Sequence, residues 1–427
     1  MASVGSARQA AIFRAGLAGR RPRVPVDPAR LEAEALLRLG ADARAYLAGG
    51  AGLERTIAAN RAAFDRHAVV PRMLAGVARR DLSVTLFGRT LPLPMLLAPI
   101  GVLELAHRDS DLAAARAAAA AGIPFVVSSQ ACHPLERIAV EMGAAPRWFQ
   151  LYWSSRNELT ESFVRRAEAA GYEAIVVTLD TTQLGWRPRD LDRGYLPFLR
   201  GKGIANYVSD PVFRTLPVEI AASRRRGPPT LGYLRSVAEL LWSWPEGPVA
   251  AWRTGEAARA VRRFVGIYQR PDLTWEDLPF LRKRTRLKIL LKGILHPDDA
   301  RRALDHGIDG VIVSNHGGRQ VDGAIAALDA LPGVVEAVGG RVPVLFDSGI
   351  RNGSDIVKAL ALGAGAVLVG RPYVYGLALA GEEGVASVIA DLAADLDLTL
   401  GLAGRANVAG LERSVLRSTA GAEAGAG

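Results

Sequence analysis

A single cysteine, Cys132, in 427 residues excludes an internal disulfide framework and any cysteine-based metal cluster, and no metal site is expected. So thiol-poor a chain fits a reducing cytosol, and a cytoplasmic protein is expected. Cys132 itself reads as a packing residue. No apolar run reaches the length of a membrane span. No zinc-finger spacing, RNP sequence or heptad repeat accompanies the net charge of +10, so nucleic acid is not an expected partner. Much of the excess charge is arginine in an alanine-rich chain, and membrane contact is not favoured. Acidic residues are missing from the first 26 positions, which carry arginine but no apolar core of a secretory signal. Residues 1–27 read as a flexible lead-in and 416–427 as a flexible tail. A GxGxxG fingerprint is also missing after the first predicted strand, which argues against a Rossmann dinucleotide site.

The chain has a hydrophobic fraction of 49 %, ample for a core, and residues 28–415 read as one domain. Residues 28–48 have helical spacing (Leu31, Ala35, Leu36, Leu39), and 52–66 suggest a second helix. A hairpin is expected around Phe87-Gly88-Arg89. From Pro94 a rhythm begins. Short apolar runs fall at 95–99, 124–127, 148–151, 174–178, 288–291, 310–313, 343–346 and 366–369. Helix-like segments lie between most of them, at 109–121, 157–170, 297–306, 324–338 and 353–362. Caps are expected at Asp109 or Ser110, Asn157, His296 and Gly353 with Ser354, and stops at Gly122, Gly171, Gly307 and Gly363.

This alternation predicts an α/β fold, a (β/α)8 barrel with an N-terminal helical segment; an open doubly wound sheet is the rival. Polar cargo after every strand favours the barrel, whose active sites collect at the C-terminal strand ends. Those ends carry Pro99-Ile100-Gly101, Ser128-Ser129-Gln130, Gln150 with Tyr152, Thr178 with Asp180, Lys292, Ser314-Asn315-His316, Asp347-Ser348-Gly349 and Gly370-Arg371. The rhythm breaks once, at 195–272, between the fourth and fifth strands. This long connection reads as irregular, a lid or a patch for an anionic membrane. Its residues 221–270 hold nine arginines against three glutamates, a net of +6, with Trp242, Trp244 and Trp252. The plainer reading is a solvated insertion whose tryptophans pack on the barrel.

The stretch GVIVSNHGGRQ, residues 310–320, holds the densest chemistry. His316 can exchange a proton near neutral pH. Arg319, three positions on, offers a planar fork for a carboxylate. Asp180 is the expected orienting partner of His316, and Arg187 the second fork. The loops after strands seven and eight, with Arg351 and Arg371, suggest a bound phosphate, and Asp347 could hold sugar hydroxyls. A phosphate there and an inward Lys292 on strand five suggest flavin mononucleotide (FMN). Gln150, Thr178 and Ser128 could then bond the ring edge. Taken alone, Tyr46 is a packing tyrosine.

Together SNHGGRQ, LKGI, LFDSGIR, VGRP, FQLY and TLDT resemble the FMN-dependent L-2-hydroxy acid oxidase and dehydrogenase family. The phrases APIGV, LGWRPRDL, TWEDL and HPDDARRA are most similar to its lactate 2-monooxygenase branch. The resemblance implies FMN, a small L-2-hydroxy acid such as lactate, molecular oxygen, and a homo-tetramer or homo-octamer. It implies His316 as base with Asp180, and Arg187, Arg319 and Tyr46 on the carboxylate. Tyr152 would meet the substrate oxygen. Pro99, Ile100, Gly101, Ser128, Gln150, Thr178 and Ser314 would surround the flavin, with Lys292 at its pyrimidine end. Asp347, Gly349, Arg351, Gly370 and Arg371 would hold the ribityl phosphate. Three outcomes stay open: oxidative decarboxylation, release of keto acid and peroxide, or transfer of electrons to a quinone or cytochrome. A barrel that binds without turnover is the remaining rival. Gln130, near His133, departs from the aromatic or aliphatic residue usual there, and Thr182 stands where the monooxygenases resemble one another in having tryptophan.

Overall fold

The computed structural model describes residues 3–218 and 228–419. Eight parallel strands close into a barrel: β1 (Met95–Leu97), β2 (Phe125–Ser128), β3 (Arg147–Leu151), β4 (Ala174–Thr178), β5 (Lys288–Ile294), β6 (Gly310–Val313), β7 (Val344–Phe346) and β8 (Ala366–Val369). Val367 opposite Met95 and Val369 opposite Leu97 make the closure, so the open-sheet rival is excluded. Helices between the strands include Ser110–Ala121, Asn157–Ala169, Pro297–Asp305, Ala327–Val338 and Gly353–Ala361. His296 caps its helix by accepting from the Asp298 N–H, whereas Asn352, not Gly353, caps the helix before β8. Asp109 makes no side-chain cap bond.

Strand alternation sends one set of side chains outward to the helices and another into the barrel. The inward set, Leu96, Val126, Trp148, Val176, Leu290, Ile312, Leu345 and Leu368, is a second core. Its floor is the hairpin Val84–Leu86 and Arg89–Leu91, which adds Leu86 and Leu91 and lays Phe87 on Trp148 with ring centroids 5.7 Å apart. The N-terminal end is therefore plugged, and polar side chains can gather only at the opposite mouth. Register sets neighbours there: Ser128 lies beside Gln150, and Thr178 beside Lys292.

Three expectations need correction. The expected single helix over 28–48 is two, Pro28–Arg38 and Ala41–Ala48, separated at Leu39-Gly40. The lead-in is not free: Val4–Leu17 is a helix docked on the long C-terminal helix Arg371–Leu402. The Gly5 N–H meets the Asp397 carboxylate at 2.8 Å, and Arg8 meets Asp391 at 2.7 Å. Those partners lie almost the whole chain away, which local pattern cannot show. Of the C-terminal tail, Leu416–Ser418 pairs antiparallel with His67–Val69, and residues 420–427 lie outside the described residues.

The 195–272 connection is mostly helical rather than irregular, with Leu231–Trp242, Pro248–Thr254 and Glu256–Ile267 as its main helices. Gly247-Pro248 and Gly255 punctuate it and obscure the periodicity. The helix Glu256–Ile267 buries Ala257, Ala260, Val261, Phe264 and Ile267, one amphipathic face. Phe264 stacks on Tyr268 at 4.8 Å and contacts Phe198 and Tyr207. Trp244 packs on the core, while Trp242 and Trp252 are exposed. Arg224, Arg225 and Arg226 lie outside the described residues. Among the described residues no helix is long and apolar enough to cross a membrane.

Asp397 anchors both the N-terminal helix and Arg80, which grips it through two bonds of 2.8 Å. Arg80→Met leaves that buried carboxylate without its counter-charge and should cost about 3–5 kcal/mol. Thermal unfolding and limited proteolysis of the N-terminal helix check it. An unchanged melting temperature with an intact N-terminus would refute the anchoring.

Candidate active site

β6 ends at Val313, and the chain then turns through three successive left-handed residues: His316 (φ 57°), Gly317 (φ 62°) and Gly318 (φ 78°). For the two glycines this conformation is cheap; a histidine adopts it only when its surroundings impose it. The restraints are visible. The His316 N–H donates to Ser314 Oγ at 3.0 Å and the Gly317 N–H to Ser348 Oγ at 3.0 Å. The Gly318 N–H donates to Asn315 Oδ1 at 3.2 Å, and Asn315 is locked to Asn60. A side chain at Gly317 or Gly318 would strike Arg371 or Ile57.

The turn sets His316 Nδ1 2.8 Å from Asp180 Oδ1, across from the end of β4. Thr181 joins them, donating to Asp180 Oδ1 at 2.9 Å and lying 3.2 Å from Nδ1. Burial opposes the charge on Asp180, but His316 and Lys292, with the His316 and Thr181 hydrogen bonds, outweigh it and hold the carboxyl down to about 2. Burial lowers the His316 pKa below its ordinary 6.5, although Asp180 pulls the other way. The ring is therefore neutral at pH 7. An ionised carboxylate at Nδ1 requires the ring proton there, which leaves Nε2 as a free acceptor.

Opposite this pair lie two guanidiniums. Arg187 donates from Nε to the Arg319 carbonyl at 3.1 Å and from Nη2 to Gln320 Oε1 at 2.8 Å. Arg319 donates to the carbonyls of Tyr46 and Gly49 and lies over the Tyr46 ring. Further along the cavity are Arg351 and Arg371, the latter held by the Gly317 and Gly49 carbonyls at 2.9 and 3.1 Å. Among the described residues none of these four arginines has a carboxylate within ion-pair distance. Burial, reinforced by Arg319, brings Arg187 and Arg371 down to about 10, so both stay cationic at neutral pH. Burial raises the phenols of Tyr46 and Tyr152, which remain protonated donors.

One open cavity, about 1050 Å³ with the solvent space at its mouth included, joins these groups. His316, Tyr46, Tyr152, Arg187, Arg319, Pro99, Ile100, Gly101, Lys292, Asp347, Gly349, Arg351, Gly370 and Arg371 line it. Asp180, Ser128, Gln150, Thr178 and Ser314 are not among its lining residues, although Asp180 and Ser314 bond His316 and Lys292, which are, and Thr178 lies beside Lys292 in register. Gln130 is on the wall; His133 and Thr182 are not. Residues that sequence reasoning missed are Thr181 and Leu184, and, from the insertion, Phe198 and Tyr268; Ser348 is named at its strand end without a role. Thr181 is signalled only by its place beside Asp180. Phe198 and Tyr268 reach the mouth by folding of a segment without strand rhythm.

The residues suit a flavin. Gln150 Nε2, Thr178 Oγ1 and Arg371 Nε are buried polar atoms with no protein partner. Lys292 supplies a buried cation, bonded to Ser314 Oγ at 2.6 Å and Asp347 at 3.0 Å. Gln150 Oε1 takes the Ser128 hydroxyl at 3.1 Å, which turns the amide's donor end to its free side. A ring offering acceptors along one edge and a phosphate at its far end matches this set.

A parallel barrel with a histidine–carboxylate pair, arginines without carboxylate partners among the described residues and buried polar atoms without partners at one mouth fits a flavin-dependent oxidoreductase. The family model described as FMN-dependent dehydrogenase matches residues 35–418, and the chain belongs to that family. It is 41 % identical over 400 residues to an L-lactate oxidase of Lysinibacillus sphaericus, covering 93 % of this chain and 94 % of that one. It is 44 % identical over 398 residues to an FMN-dependent alpha-hydroxy acid dehydrogenase of Penicillium citrinum, covering 93 % and 92 %. A crystal structure of mandelate oxidase with (S)-4-hydroxymandelic acid superposes with a TM-score of 0.76 at 38 % identity, covering 92 % of this chain and 99 % of the other. The chemistry is FMN-dependent oxidation of a 2-hydroxy acid.

If His316 accepts the substrate's proton, an acid limb is expected in the pH profile. The lowered His316 pKa places the loss of kcat/KM below pH 6.5, with a plateau above it. Rates over pH 4–9 check this, and a limb centred above 6.5 would contradict the assignment.

Proposed function

We propose that this enzyme oxidises a short L-2-hydroxy acid of about the size of L-lactate, with molecular oxygen as the acceptor. The observation that carries the reading is the set of arginines without carboxylate partners, facing the His316–Asp180 pair across one cavity. Arg187 and Arg319 take the substrate carboxylate, with the Tyr46 phenol as a third donor. Tyr152 donates to the oxygen on C2. His316 Nε2 accepts the proton that the substrate loses, and Asp180, 2.8 Å from Nδ1, stabilises the imidazolium. Bound FMN would supply the two-electron redox chemistry of the site. Pro99, Ile100, Gly101, Ser128, Gln150, Thr178, Lys292 and Ser314 would hold its ring; Asp347, Gly349, Arg351, Gly370 and Arg371 would hold the ribityl phosphate.

The oxidase names of the relatives support oxygen. For the products we favour oxidative decarboxylation, on the resemblance to the monooxygenase branch and on Phe198 and Tyr268 crowding the cavity from the insertion. Keto acid held beside hydrogen peroxide yields the acid one carbon shorter, carbon dioxide and water; keto acid that leaves first is a product together with peroxide. The difference is residence time, a gating property. The family resemblance supports a homo-tetramer or homo-octamer, and the single cysteine a cytoplasmic setting.

His316→Gln should retain flavin and lose about 10²–10⁴-fold or more of anaerobic flavin bleaching by L-lactate. Unchanged bleaching would remove His316 from its role, whereas a wild-type flavin bleached by no 2-hydroxy acid would favour a barrel that only binds. Carbon dioxide and peroxide measured during turnover separate the product readings. Carbon dioxide equal to oxygen consumed is expected, and stoichiometric peroxide would make the enzyme a simple oxidase. Slow oxygen uptake with fast reduction of an artificial dye would favour a quinone- or cytochrome-linked dehydrogenase, a reading that exposed Trp242 and Trp252 support.

A further inference from the structure

Gln130 lines the same cavity, yet no step above uses it. The residue is only 8 % exposed. Its backbone N–H donates to Ser128 Oγ at 3.0 Å, and among the described residues its side-chain amide has no hydrogen-bond partner. Its backbone is fixed from the other side as well: the Val102 N–H donates to the Gln130 carbonyl at 3.0 Å. Two residues on, the Cys132 N–H is held by the Asp111 carboxylate at 2.8 Å. Gly101 lies against the side chain, so close that a Cβ there would stand 2.9 Å from Gln130 Cβ and 3.3 Å from Oε1. The Gln130 backbone is thus fixed and its side chain lies beside Gly101, with a donor and an acceptor that have no partner among the described residues. Buried polar groups find partners, and a few placed polar groups in a cavity set specificity.

The proposed function already assigns the other polar atoms of a short hydroxy acid. Arg187, Arg319 and Tyr46 serve the carboxylate; Tyr152 and His316 serve C2 and its oxygen. What remains is the substituent on C3. A methyl group there would leave both ends of the amide unpaired, whereas a hydroxyl both donates and accepts. We propose that Gln130 hydrogen-bonds a hydroxyl on C3, so that the enzyme prefers 2,3-dihydroxy acids of the glycerate type to L-lactate. This inference rests on the proposed oxidation of a short 2-hydroxy acid and names its substrate class.

The test compares matched pairs on the holoenzyme. L-Glycerate should exceed L-lactate in kcat/KM by about tenfold or more, because a site built to bond a hydroxyl rejects the analogue lacking it. Gln130→Met keeps the volume and removes the amide, and should bring the ratio to about one or below. Dissociation constants for hydroxypyruvate and pyruvate, from anaerobic spectral titration, should follow the same order without turnover. A wild-type preference for lactate and pyruvate, or a ratio unmoved in Gln130→Met, would overturn the proposal. Should that variant fold poorly, the wild-type keto-acid affinities decide alone. Equal use of lactate and glycerate sinks this inference and leaves the proposed function standing; bleaching by no 2-hydroxy acid sinks both.

Discussion

Positive charge that lines one cavity, with no carboxylate partner among the described residues, governs this molecule. Arg187, Arg319, Arg351 and Arg371 share one cavity, and backbone carbonyls of Tyr46, Gly49, Gly317, Arg319 and Ile350 hold them instead of carboxylates. Desolvating a charge costs several kcal/mol, which carbonyl dipoles offset only partly. The arrangement is stable because the forks are fixed in direction and a large core supports them. Its consequence is a cavity whose electrostatics favour anions.

The same turn that carries the base also orders these charges. The left-handed run at 316–318 turns the Gly317 carbonyl to Arg371 and the Arg319 guanidinium to Tyr46 and Gly49. It also sets His316 against Asp180. Gly293, in the bulge of β5, leaves room for that contact, since a Cβ there would lie 2.9 Å from Asp180 Cβ. Proton acceptance and anion binding are coupled through a few residues of backbone, so a shift in this turn disturbs both.

The barrel directs all of this to one end. The hairpin with Phe87 fills the floor, and register places Ser128 beside Gln150 and Thr178 beside Lys292. The insertion then adds Phe198 and Tyr268 to the wall. Both pack on Phe264 within the insertion, and Tyr207 joins Phe264 to Phe163 of the helix Asn157–Ala169, so these two wall residues rest on a helix packed against the barrel.

Much of this was legible in the chain. Each barrel strand appears as a short apolar run with polar residues just past its end, because burial on both faces demands the first and the open mouth permits the second. His316, Arg319, Asp180, Lys292 and Arg371 could be picked out on that ground, since polar cargo at a buried strand end has few structural uses. Other features were hidden. The N-terminal helix is held by Asp391 and Asp397, and the insertion helix Glu256–Ile267 by packing that includes Phe198 and Tyr207, partners distant in sequence. Local composition by itself therefore determined the strand rhythm, the residue types at the mouth and the glycines of the 316–318 turn. Tertiary structure alone decided which groups meet: that Thr181 bridges the base pair, that Phe198 and Tyr268 narrow the cavity, and that the Gln130 amide lacks a partner. The reason is physical. Strand and turn preferences act over a few residues, whereas hydrogen-bond satisfaction depends on neighbours brought from anywhere in the chain.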